Sequence, residues 1–337
     1  MGGSMLCGTC VSPGQFDLTT RDIPETAPEG WVLVDIAAGG LCGTDYHIFQ
    51  GNQPYLTYPR VIGHELSGHV ARAASGWALG ARVVINPYLA CGTCRACQKG
   101  KPNCCQSLQV LGVHRDGGFC SRIAVPAQNL YPAGDLSPEA AAMVEFLAIG
   151  AHAVRRGEVA AGDRVLITGF GPIGLGAALF CRLRGAEVHV MDASENRLAQ
   201  ARAFGHSHTH LATAPLPADL ADGFDVVFDA TGNPAAMMAG FARVAHGGTY
   251  VLISVVPDPI TFSDPEFHKR EMRLIASRNA TAQDFDAVMA AFAAGDIRAA
   301  DLMSEKIALA DLPARLPELA ADRSRLIKVI VTMENAA

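Results

Sequence analysis

A short loop holds five of the ten cysteines of this 337-residue chain, within CGTCRACQKGKPNCC at residues 91–105. Four of them fit the spacing C-x2-C-x2-C-x7-C, namely Cys91, Cys94, Cys97 and Cys105. Four thiolates on one short loop predict a closed, tetrahedral zinc site of the structural kind. A bacterial ferredoxin cluster would need its fourth cysteine after three residues, followed by proline, and this loop has neither. On spacing alone, Cys104 competes with Cys105 for the last ligand position.

A second set of possible metal ligands lies in CGTDYH (residues 42–47) and GHE (residues 63–65), with a further carboxylate at Glu145. One cysteine, one histidine, one carboxylate and a water make an open zinc site of the catalytic kind. The carboxylate is either Glu65 or Glu145. The next histidine follows the one in GHE by five residues, which excludes a metalloprotease HExxH pattern because that pattern needs four.

A glycine-rich motif, GFGPIG (residues 169–174), follows the apolar run RVLIT and precedes a helical pattern. This is the context that a dinucleotide fingerprint requires. Gly169 permits a tight turn, Gly171 lets backbone amides approach a pyrophosphate, and Gly174 allows close helix packing. Pro172 suits the first turn of the helix.

An acidic residue follows this motif at the expected distance. Asp192 stands eighteen residues past Gly174, at the end of the next strand-like run. A carboxylate there accepts hydrogen bonds from a ribose 2′-hydroxyl and repels a 2′-phosphate, which favours NAD over NADP. Ile173, inside the motif, is assigned to the same site. Arg197 on the following helix either flanks the adenine or is a plain surface arginine.

The sequence contains two regions with different secondary-structure patterns, and these must position the candidate residues. The first 140 residues contain short β-like runs broken by Gly and Pro, such as WVLVDIAA and ARVVINPY. From about Ala140, apolar runs alternate with Ala-rich helical patterns, which predicts an α/β domain with a parallel sheet and right-handed crossovers. After about Ser277, two helical patterns and the strand-like RLIKVIVTM form a tail that can return to the first domain.

Length and charge exclude several classes of protein. A chain of this length suggests two domains. A net charge of −6 offers neither a nucleic-acid footprint nor a polybasic membrane patch, so a small-molecule protein is favoured. No apolar run approaches the roughly 18 residues that span a bilayer, and no secretory pattern opens the chain, so we expect a cytoplasmic protein. Clustered cysteines in a reducing cytosol favour metal sites over disulfides.

In their order along the chain, these motifs and DATG (residues 229–232) resemble the zinc-dependent medium-chain dehydrogenase/reductases, the alcohol and polyol dehydrogenase family. The resemblance covers nearly the whole chain. It implies a mostly β GroES-like catalytic domain over residues 5–140 and 278–337. It also implies a Rossmann NAD-binding domain, a doubly wound parallel sheet, over residues 141–277. In this family's spacing, Cys105 completes the structural zinc site.

The resemblance further implies roles around a catalytic zinc. Cys42 and His64 are ligands of that ion, and Glu65 and Glu145 share the remaining protein role, one ligating and the other acting through water. Zinc then acts as a Lewis acid on a secondary hydroxyl, and hydride passes to the nicotinamide. Arg278 is similar in position to an arginine that pairs with the glutamate at Glu145 in sorbitol dehydrogenases.

Four more residues acquire expected roles from the same resemblance. Thr44 and His47 match the spacing of the hydroxyl and imidazole that carry the proton to solvent in alcohol dehydrogenases. Asp45 would orient a zinc ligand from behind. Thr231, within DATG, is expected at the cofactor.

Three stretches narrow the expected substrate: GNQPYLTYP (residues 51–59), GVHRDGGF (residues 112–119) and SDPEFHKREMRLIASRNAT (residues 263–281). They resemble bacterial dehydrogenases that oxidise C5 of L-galactonate or L-gulonate. An aldonate carries a carboxylate that needs a cation. The candidate cations are His114, Arg115, Lys269 and Arg278. The alternative substrate is a neutral polyol of the sorbitol or galactitol type.

Other interpretations stay open at this point. The chain could be a non-catalytic, zinc-stabilised NAD-binding protein. The three histidines of HSHTH (residues 206–210) could share one strand face and bind a metal. The family resemblance also implies a homodimer or homotetramer built through the last strand of the Rossmann sheet, taken as GTYVLISVV (residues 248–256), although its apolar character equally suits a buried central strand. From the net charge we expect no nucleic-acid or membrane partner.

Overall fold

The computed structural model describes residues 3–54 and 56–333. The chain divides into two compact units, one running to Glu145 and resuming at Val288, the other covering residues 146–287. The predicted boundaries near 140 and 278 lie five and ten residues before these. Tyr55 in GNQPYLTYP, and the last four residues of the domain predicted over 278–337, lie outside the described residues.

Strands and helices are numbered along the described part of the chain. The strands are β1 Ser4–Ser12, β2 Gln15–Asp22, β3 Trp31–Leu41, β4 Arg60–Val61, β5 Glu65–Val70, β6 Arg82–Ile85, β7 Tyr88–Leu89, β8 Gln109–Val110, β9 Arg122–Pro126, β10 Leu130–Pro132, β11 Arg164–Thr168, β12 Glu187–Asp192, β13 His208–Leu211, β14 Phe224–Asp229, β15 Val244–Leu252, β16 Arg273–Ala276, β17 Met303–Ala308 and β18 Lys328–Thr332. The helices are α1 Gly43–Phe49, α2 Arg95–Gln98, α3 Pro138–Ala142, α4 Val144–Arg156, α5 Pro172–Leu183, α6 Glu195–Ala203, α7 Pro234–Gly240, α8 Asp264–Lys269, α9 Ala282–Ala293, α10 Ala299–Leu302 and α11 Leu312–Ala321. Among the described residues, no helix combines the length and apolar character needed to cross a bilayer.

The unit of residues 146–287 contains a doubly wound parallel sheet. Its strand order is β13-β12-β11-β14-β15-β16, and each neighbouring pair is parallel. Val165, Leu166 and Ile167 of β11 are fully buried, as expected for a central parallel strand covered on both faces. The order reverses between β11 and β14, which is where such sheets bind dinucleotides, at the carboxyl ends of the strands. The parallel sheet predicted from the sequence is confirmed.

The other unit is built mainly from antiparallel strands. Its largest sheet has the order β10-β6-β5-β3-β18-β17, with β9 also paired to β3. The C-terminal tail returns here, because β18 inserts beside β3 in antiparallel register. Val32, Val34 and Ile36 of β3 lie in a buried apolar cluster with residues of β5, β18 and α11. This packing fixes β3, whose last residues lead into the first candidate metal site.

Two interpretations of the α/β unit are wrong. β15, which contains most of GTYVLISVV, lies between β14 and β16, so the edge strand on this side of the described sheet is β16. An apolar run shows burial but not strand order, and this is why the sequence misled. His206 precedes β13, and its backbone amide bonds the carbonyl of Ala201 at the end of α6. The three histidines of HSHTH therefore do not share one strand face.

Candidate active site and metal centres

Strand register brings the first group of candidate ligands to one end of the largest sheet. The last residues of β3 pair with Glu65, the first residue of β5, and with the start of β18. Cys42 directly follows β3, His64 directly precedes β5, and Lys328 is the first residue of β18. Residues from three distant parts of the chain therefore meet at the ends of adjacent strands.

Cys42, His64 and Glu65 form a group that fits a metal ion. Each offers a ligand atom within 4.8 Å of the other two. His64 is 5% exposed and Glu65 is fully buried. His64 Nδ1 is buried and has no hydrogen-bond partner among the described residues, an arrangement that is costly unless something binds the imidazole. Thiol, imidazole and carboxylate are the donors that zinc takes in open sites.

Asp45 braces this group from the first turn of α1. Its carboxylate accepts hydrogen bonds from the backbone amides of Cys42 at 2.9 Å and Gly63 at 3.3 Å. It also lies 3.8 Å from His64 Nδ1. Burial raises the pKa of Asp45, although His64 and these amides favour its charged form. Asp45 thus ties the turn that carries Cys42 to the turn that carries His64.

Glu65 forms a buried ion pair with Lys328. Lys328 Nζ lies 2.6 Å from Oε1 and 2.5 Å from Oε2 of Glu65, and it donates to the Leu41 carbonyl at 3.1 Å. Burial is the largest influence and lowers the pKa of Lys328, but Glu65, Cys42 and Glu145 together outweigh it, so the net pKa lies above its usual value. The ammonium is therefore charged. It neutralises Glu65 and fixes the orientation of the carboxylate.

Glu145 supplies a second buried carboxylate, with an exposed fraction of 2%. The Tyr88 hydroxyl donates to its Oε1, whereas its Oε2 is buried without a hydrogen-bond partner among the described residues. Burial raises the pKa of Glu145 to about 7, with His64 opposing and Glu65 adding to the shift. Glu145 does not belong to the close group of Cys42, His64 and Glu65. The site thus contains two carboxylates in different environments, one held by an ammonium and one with an open oxygen.

The expected proton carriers lie on α1. Thr44 is half-buried and His47 is exposed, one helical turn further along. Burial lowers the pKa of His47, and Arg323 lowers it further, so its imidazole is neutral near pH 7. Arg278 follows β16 in the other unit and is exposed. Its proposed pairing with Glu145 stays a prediction.

The four-cysteine loop has the geometry of a closed zinc site. Cys91, Cys94, Cys97 and Cys105 each place a sulfur within 4.8 Å of the others. The sulfurs of Cys94 and Cys97 are 3.5 Å apart, as are those of Cys91 and Cys105, close to the roughly 3.8 Å edge of a tetrahedron with 2.3 Å zinc–sulfur bonds.

Hydrogen bonds favour the thiolates of Cys91 and Cys94, whereas burial and Cys94 raise the pKa of Cys97 to about 12. The Thr93 hydroxyl and the amide of Cys94 lower the pKa of Cys91 to about 5. Cys104 is exposed and lies outside the group. Cys105 is therefore the cysteine that completes the four-sulfur geometry.

The glycine-rich motif forms the turn between β11 and α5. Gly169 has φ of +86°, a conformation that favours glycine. A side chain at Gly174 would make its Cβ overlap the Gly169 carbonyl oxygen, so the helix can approach the turn only with glycine there. α5 begins at Pro172, and its first backbone amides point to the carboxyl end of the sheet. This is the geometry of an anion site at a helix N-terminus.

Asp192 ends β12 beside this turn. Its carboxylate accepts hydrogen bonds from the amides of Phe170 at 2.7 Å and Ser194 at 2.8 Å. The guanidinium of Arg197 donates to Gln200 at 2.9 Å. The structure thus brings Asp192 against the glycine-rich turn.

The two remaining predicted cofactor residues lie on neighbouring segments. Ile173 is half-buried in the first turn of α5. The amide and hydroxyl of Thr231 donate to the buried carboxylate of Asp229, at 3.1 Å and 3.0 Å. Thr231 therefore follows the end of β14, on the other side of the point where the strand order reverses.

Sequence reasoning missed two residues of the first site. Lys328 interrupts the apolar run RLIKVIVTM, and a charge inside a buried strand predicts a buried partner, so a signal was present. It could not name Glu65, which is 263 residues away. Tyr88 stands in an ordinary strand-like run, and nothing in its sequence neighbourhood indicates its contact with Glu145.

Two protein-family descriptions match this chain. Residues 28–135 match the alcohol dehydrogenase GroES-like domain, and residues 172–294 match the zinc-binding dehydrogenase domain. The two matches fall on the mostly β unit and, except for its last residues, on the α/β unit.

Relatives of known name cover almost the whole chain. L-galactonate-5-dehydrogenase of Escherichia coli K12 is 39% identical over 96% of this chain and 97% of its own. A 2-dehydro-3-deoxy-L-galactonate 5-dehydrogenase of Pseudoalteromonas atlantica is 32% identical over 85% of this chain and 87% of its own. A solved alcohol dehydrogenase from Escherichia coli CFT073, complexed with NADH, is 29% identical and superimposes with a TM-score of 0.92, covering 98% of this chain and 100% of that one. With its two domains, its four-cysteine loop and its Cys42–His64–Glu65 group, the chain belongs to the zinc-containing medium-chain alcohol dehydrogenase family and is a dehydrogenase of the polyol and sugar-acid type.

Proposed function

We propose that this dehydrogenase uses NAD to oxidise the C5 hydroxyl of a six-carbon sugar acid, L-galactonate or L-gulonate, to the keto acid. The observation that carries the proposal is the 39% identity, over nearly the full length of both chains, to an L-galactonate-5-dehydrogenase. The Pseudoalteromonas relative, whose name also gives a sugar acid and position 5, points the same way. Family membership makes the chain an enzyme, which removes the non-catalytic alternative.

The proposed site uses two zinc ions, one catalytic and one structural. Cys42, His64 and Glu65 hold the first, and Lys328 keeps the Glu65 carboxylate in place. A zinc ion there supplies Lewis acidity, which lowers the pKa of a bound secondary hydroxyl. The second ion, in the four-cysteine loop, has no open position and stabilises the fold.

Glu145 and Tyr88 orient the reacting hydroxyl in this proposal. Tyr88 fixes one carboxylate oxygen of Glu145 and leaves the other unpartnered among the described residues. That oxygen can accept a hydrogen bond from water or from a substrate hydroxyl. Thr44 and His47 on α1 then pass the released proton to solvent, because the neutral imidazole of His47 is exposed and accepts a proton near pH 7.

NAD is the proposed hydride acceptor. The glycine-rich turn offers backbone amides at the start of α5, and Asp192 ends the adjacent strand. The Asp192 carboxylate would accept hydrogen bonds from a ribose hydroxyl and repel a 2′-phosphate. Arg197 and Thr231 are proposed to flank the dinucleotide.

A substrate carboxylate requires a cation, and the candidates differ in availability. Lys269 lies 3.8 Å from Glu266 on its own helix. His114 Nδ1 accepts a hydrogen bond from the Val110 amide. The Arg115 guanidinium lies over the Trp31 ring at 5.2 Å and makes no ion pair within the described residues. Of these three, we therefore favour Arg115 as the carboxylate partner; Arg278 stays a candidate from the family resemblance.

The test compares acids with neutral polyols. Initial rates with NAD are measured for L-galactonate and L-gulonate and, at matched concentrations, for galactitol and sorbitol. The proposal expects at least one aldonate to give a kcat/KM about tenfold or more above either polyol, since a charge-assisted pair to the carboxylate is worth about 1.5–3 kcal/mol. Equal or greater kcat/KM for a polyol would replace the proposal with the polyol alternative.

Oligomeric state remains a separate proposal. A homodimer or homotetramer is expected from family resemblance, and β16, not β15, is the edge strand on that side of the described sheet.

A further inference from the structure

A cluster of polar side chains lies at the start of two neighbouring strands of the α/β unit. Glu187 and His189 alternate along β12, while His208 and His210 alternate along β13. His189 pairs with His208 in the parallel register, and side chains two apart on a strand share one face. These four residues, here named the histidine cluster, therefore meet on one face of the sheet.

Three members of the histidine cluster have the spacing of metal ligands. Glu187, His189 and His208 each offer a ligand atom within 4.8 Å of the other two. His189 Nε2 lies 2.7 Å from Glu187 Oε1, and the rings of His189 and His208 stack with centroids 4.5 Å apart. His189 is only 3% exposed, and burial lowers its pKa, so its imidazole is in the neutral form that metals bind.

His210 supports the buried member of the cluster. Its Nε2 lies 2.9 Å from His189 Nδ1, so one nitrogen of His189 is held while the other faces Glu187. A histidine ligand normally has its second nitrogen hydrogen-bonded in this way. Arg164 opposes binding, because its Nε lies 3.5 Å from Glu187 Oε1, but its side chain is partly exposed and can turn away.

We propose that the histidine cluster binds one divalent first-row transition ion. Glu187, His189 and His208 are the ligands and His210 orients His189. Imidazole and carboxylate donors suit Ni²⁺, Cu²⁺ and Zn²⁺. The ion ties β12 to β13, which is one of the two edge strands of the described sheet. Glu187 and Asp192 are at opposite ends of β12, on the order of 17 Å apart at about 3.3 Å per residue, so the ion lies away from the dinucleotide site.

The test uses Ni²⁺ and the zinc-loaded protein. After equilibrium dialysis against Ni²⁺, nickel and zinc per chain are measured by atomic emission for the wild type, His208→Gln, His210→Gln and His246→Gln. His208 is exposed, so its replacement leaves folding intact. His246→Gln is the matched control, because it removes another exposed strand histidine of the same unit. A melting curve with and without Ni²⁺ accompanies each measurement.

We expect one nickel per chain with zinc unchanged, and a rise in melting midpoint on adding Ni²⁺, for the wild type and His246→Gln. His210→Gln should bind nickel about 10–100-fold more weakly, because it removes only an orienting partner. His208→Gln should lose the nickel and the rise in midpoint. Absence of nickel uptake by the wild type, uptake that persists in His208→Gln, or nickel gained only as zinc is lost would each overturn the proposal.

Discussion

At the scale of single residues, the first site contains two buried carboxylates that differ in their hydrogen-bond partners. Lys328 holds Glu65 through both carboxylate oxygens, whereas Glu145 keeps one oxygen free of hydrogen bonds within the described chain. A carboxylate fixed by an ammonium is preorganised as a ligand, and one with an open oxygen can still accept a proton or a hydroxyl. This difference is the basis for proposing Glu65 as the metal ligand and Glu145 as the group that meets the substrate.

Glutamine substitutions separate these roles. Glu65→Gln should lower the zinc content by about one ion per chain, because it weakens a ligand. Glu145→Gln should keep two zinc ions and the wild-type melting midpoint but lower kcat at least about tenfold, by analogy with loss of an acid–base group. Zinc analysis and initial rates measure both effects. If Glu145→Gln lost zinc while Glu65→Gln retained it, the two assignments would have to be exchanged.

Removing the ammonium should destabilise the fold. Lys328→Met leaves the Glu65 carboxylate buried without its partner, which we expect to cost about 3–5 kcal/mol in the free energy of unfolding. Lys306→Met is the matched control, since Lys306 pairs with Glu139 at 2.6 Å on the surface and should cost no more than about 1 kcal/mol. Urea unfolding followed by circular dichroism measures both. If both variants lost the same free energy of unfolding, the buried ion pair would be no more important to stability than the surface pair.

At the scale of elements, the glycine-rich turn separates folding from cofactor binding. Gly174→Ala would force a methyl against the Gly169 carbonyl oxygen, so α5 must move and the melting midpoint should fall. Gly171 has φ of −74°, and a methyl added there would meet nothing within 4 Å, so Gly171→Ala should keep the midpoint. The methyl at Gly171 would instead obstruct a pyrophosphate at the start of α5.

Titration with NADH, followed by fluorescence, completes this test. We expect Gly171→Ala to raise the dissociation constant at least about tenfold while unfolding at the wild-type temperature. Tight NADH binding by Gly171→Ala would show that the dinucleotide does not bind at this turn.

The elements that the sequence predicted well are those with strong local signals. The alternation of apolar runs with Ala-rich segments was enough for the parallel sheet, and GFGPIG was enough for the turn before α5. Strand order was not predictable, because β16 is only four residues long and mostly exposed, so its run RLIA gives too weak a pattern to stand out as a strand. The prediction that the three HSHTH histidines share one strand face was wrong because of a local contact. The amide of His206 bonds to the last turn of α6, and the strand starts only at His208.

The four-cysteine site was predictable because C-x2-C-x2-C-x7-C is a spacing typical of structural zinc. Cys42, His64 and the two glutamates acquired their expected roles from the family resemblance. The choice between Cys104 and Cys105, left open by spacing alone, depends on which sulfur turns inward. The ion pair of Lys328 with Glu65 depends on the insertion of β18 beside β3, a contact between the two ends of the unit. Long-range register of this kind leaves only a weak trace in the sequence.

At the scale of the whole molecule, acid should weaken the fold through a buried histidine. His206 is 3% exposed, its Nε2 has no hydrogen-bond partner in the described residues, and burial lowers its pKa to about 4. The folded state therefore resists protonation that the unfolded chain accepts below its pKa of about 6.5. Stability is full above about pH 6.5 and falls as the pH drops towards 4.

Replacing His206 tests this pH dependence. Relative to a variant with phenylalanine at this position, which does not titrate, the free energy of unfolding of the wild type should fall by about 2 kcal/mol more between pH 8 and pH 5. Melting curves of the wild type and His206→Phe at both pH values measure the difference, and His246→Phe, at an exposed histidine, serves as control. An identical acid-induced fall in midpoint for the wild type and His206→Phe would contradict the account.

The proposed function depends on a zinc ion held by Cys42, His64 and Glu65. Anomalous diffraction at the zinc edge, from crystals soaked with NAD, tests it most directly. We expect two peaks per chain, one inside the four-cysteine loop and one about 2.3 Å from the Cys42 sulfur and about 2.0–2.1 Å from a His64 nitrogen. A zinc peak in the cysteine loop alone, with Cys42 and His64 free of metal, would contradict the account.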